Sequence, residues 1–214
     1  MPEAIVVHRV PWSTNVERIA LAAAHKGIPV RWVDHDPADR SELRRRTGQE
    51  LVPVLEEPDG RFVVDSPVIL AHLEARVPDP PLWPADPAER AVCDVFVDWF
   101  NRVWKVAPNA LAAAGAAEVA GRAREDAASA ALAAELRGSR DRFEALLTAH
   151  DHLLSPGFGI ADVVAFPFLR YGAGIDPADP DPFHHVLHRE LDLSGGTYPR
   201  LAAWIARVDA RPRA

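Results

Sequence analysis

Three short stretches of the first eighty residues combine residue types that could do chemistry. Pro11-Trp12-Ser13-Thr14-Asn15 lies between an apolar run and a helical pattern. A hydroxyl at that junction sits beside free backbone N–H groups and the positive end of a helix dipole, where an anion, a thiolate included, is stabilised. Ser, Thr and Asn are also favoured helix caps, so simple capping stands beside the chemical reading. In Leu51-Val52-Pro53-Val54-Leu55, a proline opens a strand, as an edge tolerates. If its peptide bond is cis, the preceding N–H and C=O face outward and can pair with an extended peptide; otherwise Pro53 is an ordinary edge-strand proline. Val64-Asp65-Ser66-Pro67-Val68-Ile69 runs from strand directly into helix. Ser66 can cap that helix while its hydroxyl and the first amides offer a carboxylate site, and Asp65 can meet an ammonium. Together the two suit an α-amino acid terminus.

These stretches must be positioned by alternating strands and helices. Residues 4–8 (AIVVH) form a β-branched run suited to a buried strand, a helical pattern follows from Thr14 to Lys26, and Gly27 ends it. A second strand fits Val30 to Val33, and a short basic helix fits Ser41 to Arg46. Pro53 to Leu55 and Arg61 to Val64 flank a Pro58-Asp59-Gly60 turn as an antiparallel hairpin. A helix starts at Ser66 with Pro67 in its first turn. The order β-α-β-α-β-β-α predicts a mixed sheet covered by helices.

Proline then marks a boundary. Residues 77–87 read VPDPPLWPADP, five prolines in eleven residues, which neither a helix nor a central strand accepts. The expected organisation is an α/β domain over residues 1–77, a linker over 78–87 and an all-helical domain over 88–214. In the last part a long helix is expected from Ala88 to Ala107 and a second from Glu118 to Ala149, with Gly138 as a candidate break. An intensely apolar helix from Ala161 to Tyr171 suits the centre of a bundle, and Tyr198 to Val208 closes the chain. Ile175 to Gly196 has room for one short helix.

Composition excludes several classes. The 214 residues contain one cysteine, so an internal disulfide and a four-thiolate zinc site are both ruled out. The net charge of -7 is spread over both halves without a basic face, which argues against a nucleic-acid partner. The expectation is a cytoplasmic chain with no membrane association, for no run of about twenty apolar residues occurs and His8 and Arg9 interrupt the first apolar stretch.

Other candidates are weaker. His184, His185 and His188 cluster, and His184 and His188 would share one face of a helix, but no second histidine or carboxylate motif completes a metal site. No metal is therefore expected. Cys93 suits packing as a small apolar residue, and Arg44, Arg45 and Arg46 suit a solvated face.

The series of Ser13-Thr14-Asn15, VPVLE, DSPVILAHLE, a proline linker and a helical remainder ending in YPRLAAWIARVDARP resembles the cytosolic glutathione transferases over essentially the whole chain. The resemblance implies a thioredoxin-like α/β domain followed by an all-α bundle, and a homodimer. It places Ser13, with Thr14 as the neighbouring donor, where serine-type members of the zeta and theta classes hydrogen-bond the glutathione sulfur. It places Val52 and the cis-proline Pro53 against the cysteinyl unit, and Asp65 and Ser66 against the γ-glutamyl end. Trp12, Trp99, Asn101, Trp104 and Lys105 are the positions it offers for the pocket of a small-molecule electrophile. The chain departs from the pattern at Glu50 and Leu51, where basic or polar side chains are frequent, and at Gly159-Ile160-Ala161-Asp162, where Gly replaces a Ser or Thr cap. The acidic Glu50 leaves another cysteine-containing thiol possible beside glutathione.

The implied activity is transfer or thiol-assisted isomerisation, with Ser13 stabilising a thiolate that attacks an electrophilic carbon. The competing reading is a non-catalytic dimer that binds ligands or proteins, in which Ser13 only caps.

Overall fold

The computed structural model describes residues 4–119 and 127–214. The expected helix start at Glu118 borders the undescribed residues 120–126. By their contacts the residues form two compact units, Met1–Leu82 with Arg211–Ala214, and Trp83–Ala210. The division falls within the proline-rich stretch, and the last four residues pack with the first unit. There Ala214 donates its N–H to the Ala20 carbonyl and Arg213 reaches the Glu17 carboxylate.

The first unit is built on a four-stranded sheet of β1 (Ile5–Arg9), β2 (Val30–Asp34), β3 (Val54–Glu56) and β4 (Phe62–Val64), in the spatial order β2-β1-β3-β4. β1 runs parallel to β2, with Val7 opposite Trp32, and antiparallel to β3, with Val7 opposite Leu55. That central place explains the near-continuous apolar run of β1. α1 (Thr14–His25) begins at the extended N-cap Ser13 and ends before Gly27, whose φ of +64° is the left-handed geometry a Cβ disfavours. α2 (Ser41–Thr47) buries only Leu43. Residues 57–60 turn between β3 and β4, and α3 (Ser66–Arg76), with proline in its first turn, packs on α1. Buried Lys26 ties these pieces to the following chain, with Nζ 2.5 Å from a Glu74 carboxylate oxygen and donating to the carbonyls of Val77 and Pro80.

The second unit is helical: α4 (Pro87–Trp99), a π-helical turn over Phe100–Trp104, α5 (Val106–Val119), α6 (Ala127–Leu146), α7 (Ile160–Leu169), α8 (Pro182–Leu191) and α9 (Pro199–Asp209). Three expectations change. The helix expected over Ala88–Ala107 is interrupted by the π-turn, in which Lys105 donates to the Phe100 carbonyl. This wider turn accommodates Phe100 and Trp104, whose rings stack at 4.4 Å in the core. A further helix, α5, follows at once, where no separate helix was expected. α6 passes unbroken through Gly138, because a glycine lowers helix propensity by only about 1 kcal/mol while Leu136, Ser139 and Phe143 anchor its buried face.

Every residue of α7 is buried. Its start is held by Asp162, whose carboxylate accepts the N–H of Gly159 (2.9 Å), the N–H of Leu153 (3.0 Å) and the Trp204 indole N–H (2.6 Å). The Gly-for-Ser change at position 159 thus leaves the acidic half of the cap intact. At Gly172 a Cβ would stand 2.7 Å from the Leu191 carbonyl oxygen, so only glycine permits the end of α8 to approach this closely. No helix among the described residues is long and apolar enough to cross a membrane.

Candidate functional site

The first unit has a cleft of about 240 Å³ lined by Asn15, Gln49, Leu51, Val52, Pro53, Val64, Asp65 and Ser66. Four of the eight, Val52, Pro53, Asp65 and Ser66, are residues singled out from the sequence. The Val52–Pro53 peptide bond is cis. Pairing between β3 and β4 ends at Val54 opposite Val64, so Val52 lies past the last paired residue, on the lip of the cleft.

Ser66, expected as the cap, is instead the first residue of α3; Asp65 holds the N-cap position without a side-chain cap bond, at φ +71° and ψ 124°, a backbone geometry rare for a non-glycine residue and found where surrounding structure imposes it. Its side chain is exposed, whereas Ser66 beside it is buried at 2% exposure. Ser66 Oγ accepts a hydrogen bond from Arg18 Nη1 at 3.1 Å and donates toward Asn15 Oδ1 at 3.5 Å. Arg18 is wholly buried in α1. Burial pulls its pKa down to about 9, and the negative Asp65 offsets part of that fall. A guanidinium therefore underlies the start of α3, polarising the Ser66 hydroxyl and facing Asp65. A ligand carrying both an ammonium and a carboxylate finds Asp65 for the first, and Ser66 with the α3 N-terminus for the second.

Ser13 is half-buried and is the N-cap of α1; its Oγ accepts the Val16 N–H at 3.4 Å. A hydroxyl that accepts through a lone pair keeps its own proton to donate, so capping and sulfur binding are compatible. Thr14, the neighbouring donor, is buried at 6% exposure, and Trp12 is exposed with φ +68°. Neither Ser13 nor Thr14 lines the cleft; Asn15, one turn position further on, does. Asn15 and Gln49 were not assigned a role from sequence. The clue to Asn15 was its i+2 spacing from Ser13 at a helix start. Gln49 gives no local signal, since its place follows from its side chain bracketing Leu51, donating to the carbonyl and accepting from the N–H, both at 2.7 Å.

The positions considered for an electrophile pocket lie in the second unit. Trp104 is buried among aromatic rings and donates to Ser139 Oγ, so it is a core residue and not a pocket wall. Trp99, Asn101 and Lys105 are half-buried; Asn101 donates to the Val97 carbonyl, and the Lys105 ammonium stands 4.9 Å from the Phe168 ring centre. Of the residues considered for the thiol, Glu50 pairs with Arg44 at 2.9 Å and Leu51 is 72% exposed. The histidines of α8 are engaged locally: His184 Nδ1 lies 2.7 Å from Asp179, His185 bonds the Asp179 carbonyl and His188 the Tyr171 carbonyl. No group of three or more potential metal ligands occurs among the described residues. Cys93 is buried, and burial pushes its thiol pKa up, the reverse of a reactive cysteine.

Comparison with known families matches residues 7–81 to "Glutathione S-transferase, N-terminal domain". A comparison with curated proteins finds no match. Among solved structures, a β-etherase, LigF, from Sphingobium sp. is similar at a TM-score of 0.77 and 20% identity, over 97% of this chain and 96% of that one. A glutathione S-transferase from Rhodospirillum rubrum gives 0.76 at 22%, over 97% and 89%. One from Methylobacillus flagellatus, solved with glutathione bound, gives 0.72 at 22%, over 97% and 95%. Residues 7–81 thus match the glutathione S-transferase N-terminal domain, and the chain has the fold of these solved structures, a thioredoxin-like α/β unit with a helical remainder.

Proposed function

We propose that the cleft of the first unit binds glutathione, or a related cysteine-containing thiol, and that the protein transfers this thiol to an electrophilic small molecule. The observation that carries the reading is the convergence of Val52 and the cis Pro53, Asp65, Ser66 and the start of α1 on one cleft. The α-amino acid end of the thiol sits at Asp65 and Ser66, its backbone runs along Val52, and its sulfur approaches Ser13 at the N-terminus of α1. A hydroxyl donor and a helix dipole both favour thiolate over thiol, whose ordinary pKa is about 8.5. The bound thiolate then attacks the electrophile, by conjugation or in a thiol-assisted isomerisation.

Thiolate absorbance in the ultraviolet, titrated against pH with bound glutathione, tests this. Ser13→Ala raises the pKa of the bound thiol by about 1 unit, the loss of one donor worth about 1.4 kcal/mol, and lowers turnover accordingly. If no cysteine-containing thiol at millimolar concentration shifts the melting temperature, the cleft is not a thiol site. The second reading, a non-catalytic binding module, draws on the place of Ser13, which caps α1 and does not line the cleft. It predicts that glutathione binds without ionising and that Ser13→Ala leaves its pKa unchanged.

We further propose a homodimer, supported by the exposed valines Val92 and Val95 of α4, Val103 of the π-turn and Val106 at the start of α5.

A further inference from the structure

Within the first unit, apart from the thiol cleft, four ionisable side chains from four successive parts of the fold form a chain. His8 on the central strand β1 is fully buried. Its Nδ1 lies 2.8 Å from Nε2 of His35, the residue after β2, and its Nε2 lies 3.0 Å from a carboxylate oxygen of Glu56 on β3. Both Glu56 oxygens lie 3.0 Å from Arg46 Nη2 on α2. His35 is 8% exposed, and its ring stacks beside that of His8 at 5.1 Å.

We propose that His8 and His35 form a proton-dependent latch that is joined through Glu56 to Arg46 of α2, and so to the Gln49 edge of the cleft. The two nitrogens that face each other can share one proton. With His8 Nε2–H donating to Glu56, His8 Nδ1 accepts from His35 Nε2–H, and this bond survives whether the pair is neutral or carries a single added proton. A second added proton places an N–H on both facing atoms, and the bond is lost. The charges around His35 are His8 on β1, Glu42 and Arg46 on α2, Asp34 on β2 and, through His8, Glu56 on β3. Burial, then the positive charge of His8, hold the His35 pKa below its ordinary 6.5. A group with a depressed folded pKa stabilises the fold above its unfolded value, and that contribution is lost as pH falls from 6.5 through the lower folded value. Once the pair holds its second added proton the latch is open.

The link to the cleft is structural. Thr47, the last residue of α2, places its Oγ1 2.9 Å from both the Leu43 and Gln49 carbonyl oxygens, and Gln49 brackets Leu51 at the cleft wall. The backbone of His35 is pinned to β1 by its N–H to the Arg9 carbonyl, so opening moves the His35 side chain and removes one of the two bonds that fix the His8 ring, the other being to Glu56, the partner of Arg46.

The test uses the whole protein without any thiol, and so is independent of the proposed transferase activity. Nitrogen-15 spectra of the imidazoles in the unaltered protein show scalar coupling across the His8–His35 hydrogen bond near neutral pH, and its loss on acidification. Amide exchange at residues 41–50, corrected for the chemical rate, accelerates in the same window by about tenfold per pH unit, the slope of a one-proton linkage. In His35→Phe, which keeps a ring but no proton site, that pH dependence is flat. Absence of the coupling at neutral pH overturns the latch. So does exchange of α2 that follows pH equally in the unaltered protein and in His35→Phe.

Discussion

Arg18 shows how much a single side chain can settle about a site it does not line. It lies under Ser66, donates to its hydroxyl and faces Asp65, while its own charge is costly to bury, as the pKa of about 9 indicates. Replacing a buried charge by an apolar chain of similar length is often neutral for folding, and here the partner carboxylate, Asp65, is exposed and left solvated. Arg18→Met is therefore expected to change folding stability by less than about 1 kcal/mol. Thiol affinity should fall about tenfold, the value of one hydrogen bond that orients Ser66. Chemical denaturation and thiol-dependent melting shifts read the two effects separately, and equal loss in both would make Arg18 purely structural. Ser66 and Asp65 were legible as a pair because a strand meeting a helix at Asp-Ser-Pro is a local pattern. Arg18 was not, since nothing local says that the fifth residue of a helix will meet a serine forty-eight positions on.

At the scale of elements, punctuation was readable and continuation was not. Prolines 67, 87 and 199 and Gly27 marked helix ends because proline and glycine limit the backbone wherever they stand. The π-turn at Phe100–Trp104 escaped because apolar spacing runs through it undisturbed; the wider turn is chosen by the packing of Phe100 and Trp104 against Phe143 and Phe168. Two caps came from afar: Glu144 of α6 accepts the N–H groups of Arg200 and Leu201 at the start of α9, and Asp162 accepts from Leu153, Gly159 and Trp204. Asp162→Ala orphans three buried donors at about 1–3 kcal/mol each, so a loss of at least about 3 kcal/mol is expected by denaturant unfolding. Asp162→Asn, which keeps one acceptor oxygen, should lose less.

For the molecule as a whole, the exposed valines give the proposed homodimer a specific geometry. Asp98 and Arg102 pair with each other on the exposed face of the same helical stretch, midway between Val92 and Val106. In a two-fold antiparallel pairing about that midpoint, Asp98 of one copy meets Arg102 of the other while the valines pack together. Light scattering should give twice the chain mass of 23.4 kDa, and Val95→Asp should yield monomer by burying an unpaired charge. A monomer at micromolar concentration in the unaltered protein would overturn the pairing. The sequence by itself determined the two-part plan, the proline-marked boundary, the strand-to-helix junctions that carry Ser13, Asp65 and Ser66, and the strand opening at Pro53, since all of these are written in local backbone preference and apolar period. Only the tertiary structure decided that Asn15, Gln49 and Arg18 join that site, that Trp104 is core, and that His8 meets His35. Those relations depend on which residues distant in sequence the sheet register and helix packing bring within hydrogen-bond reach, and local preference carries no record of that.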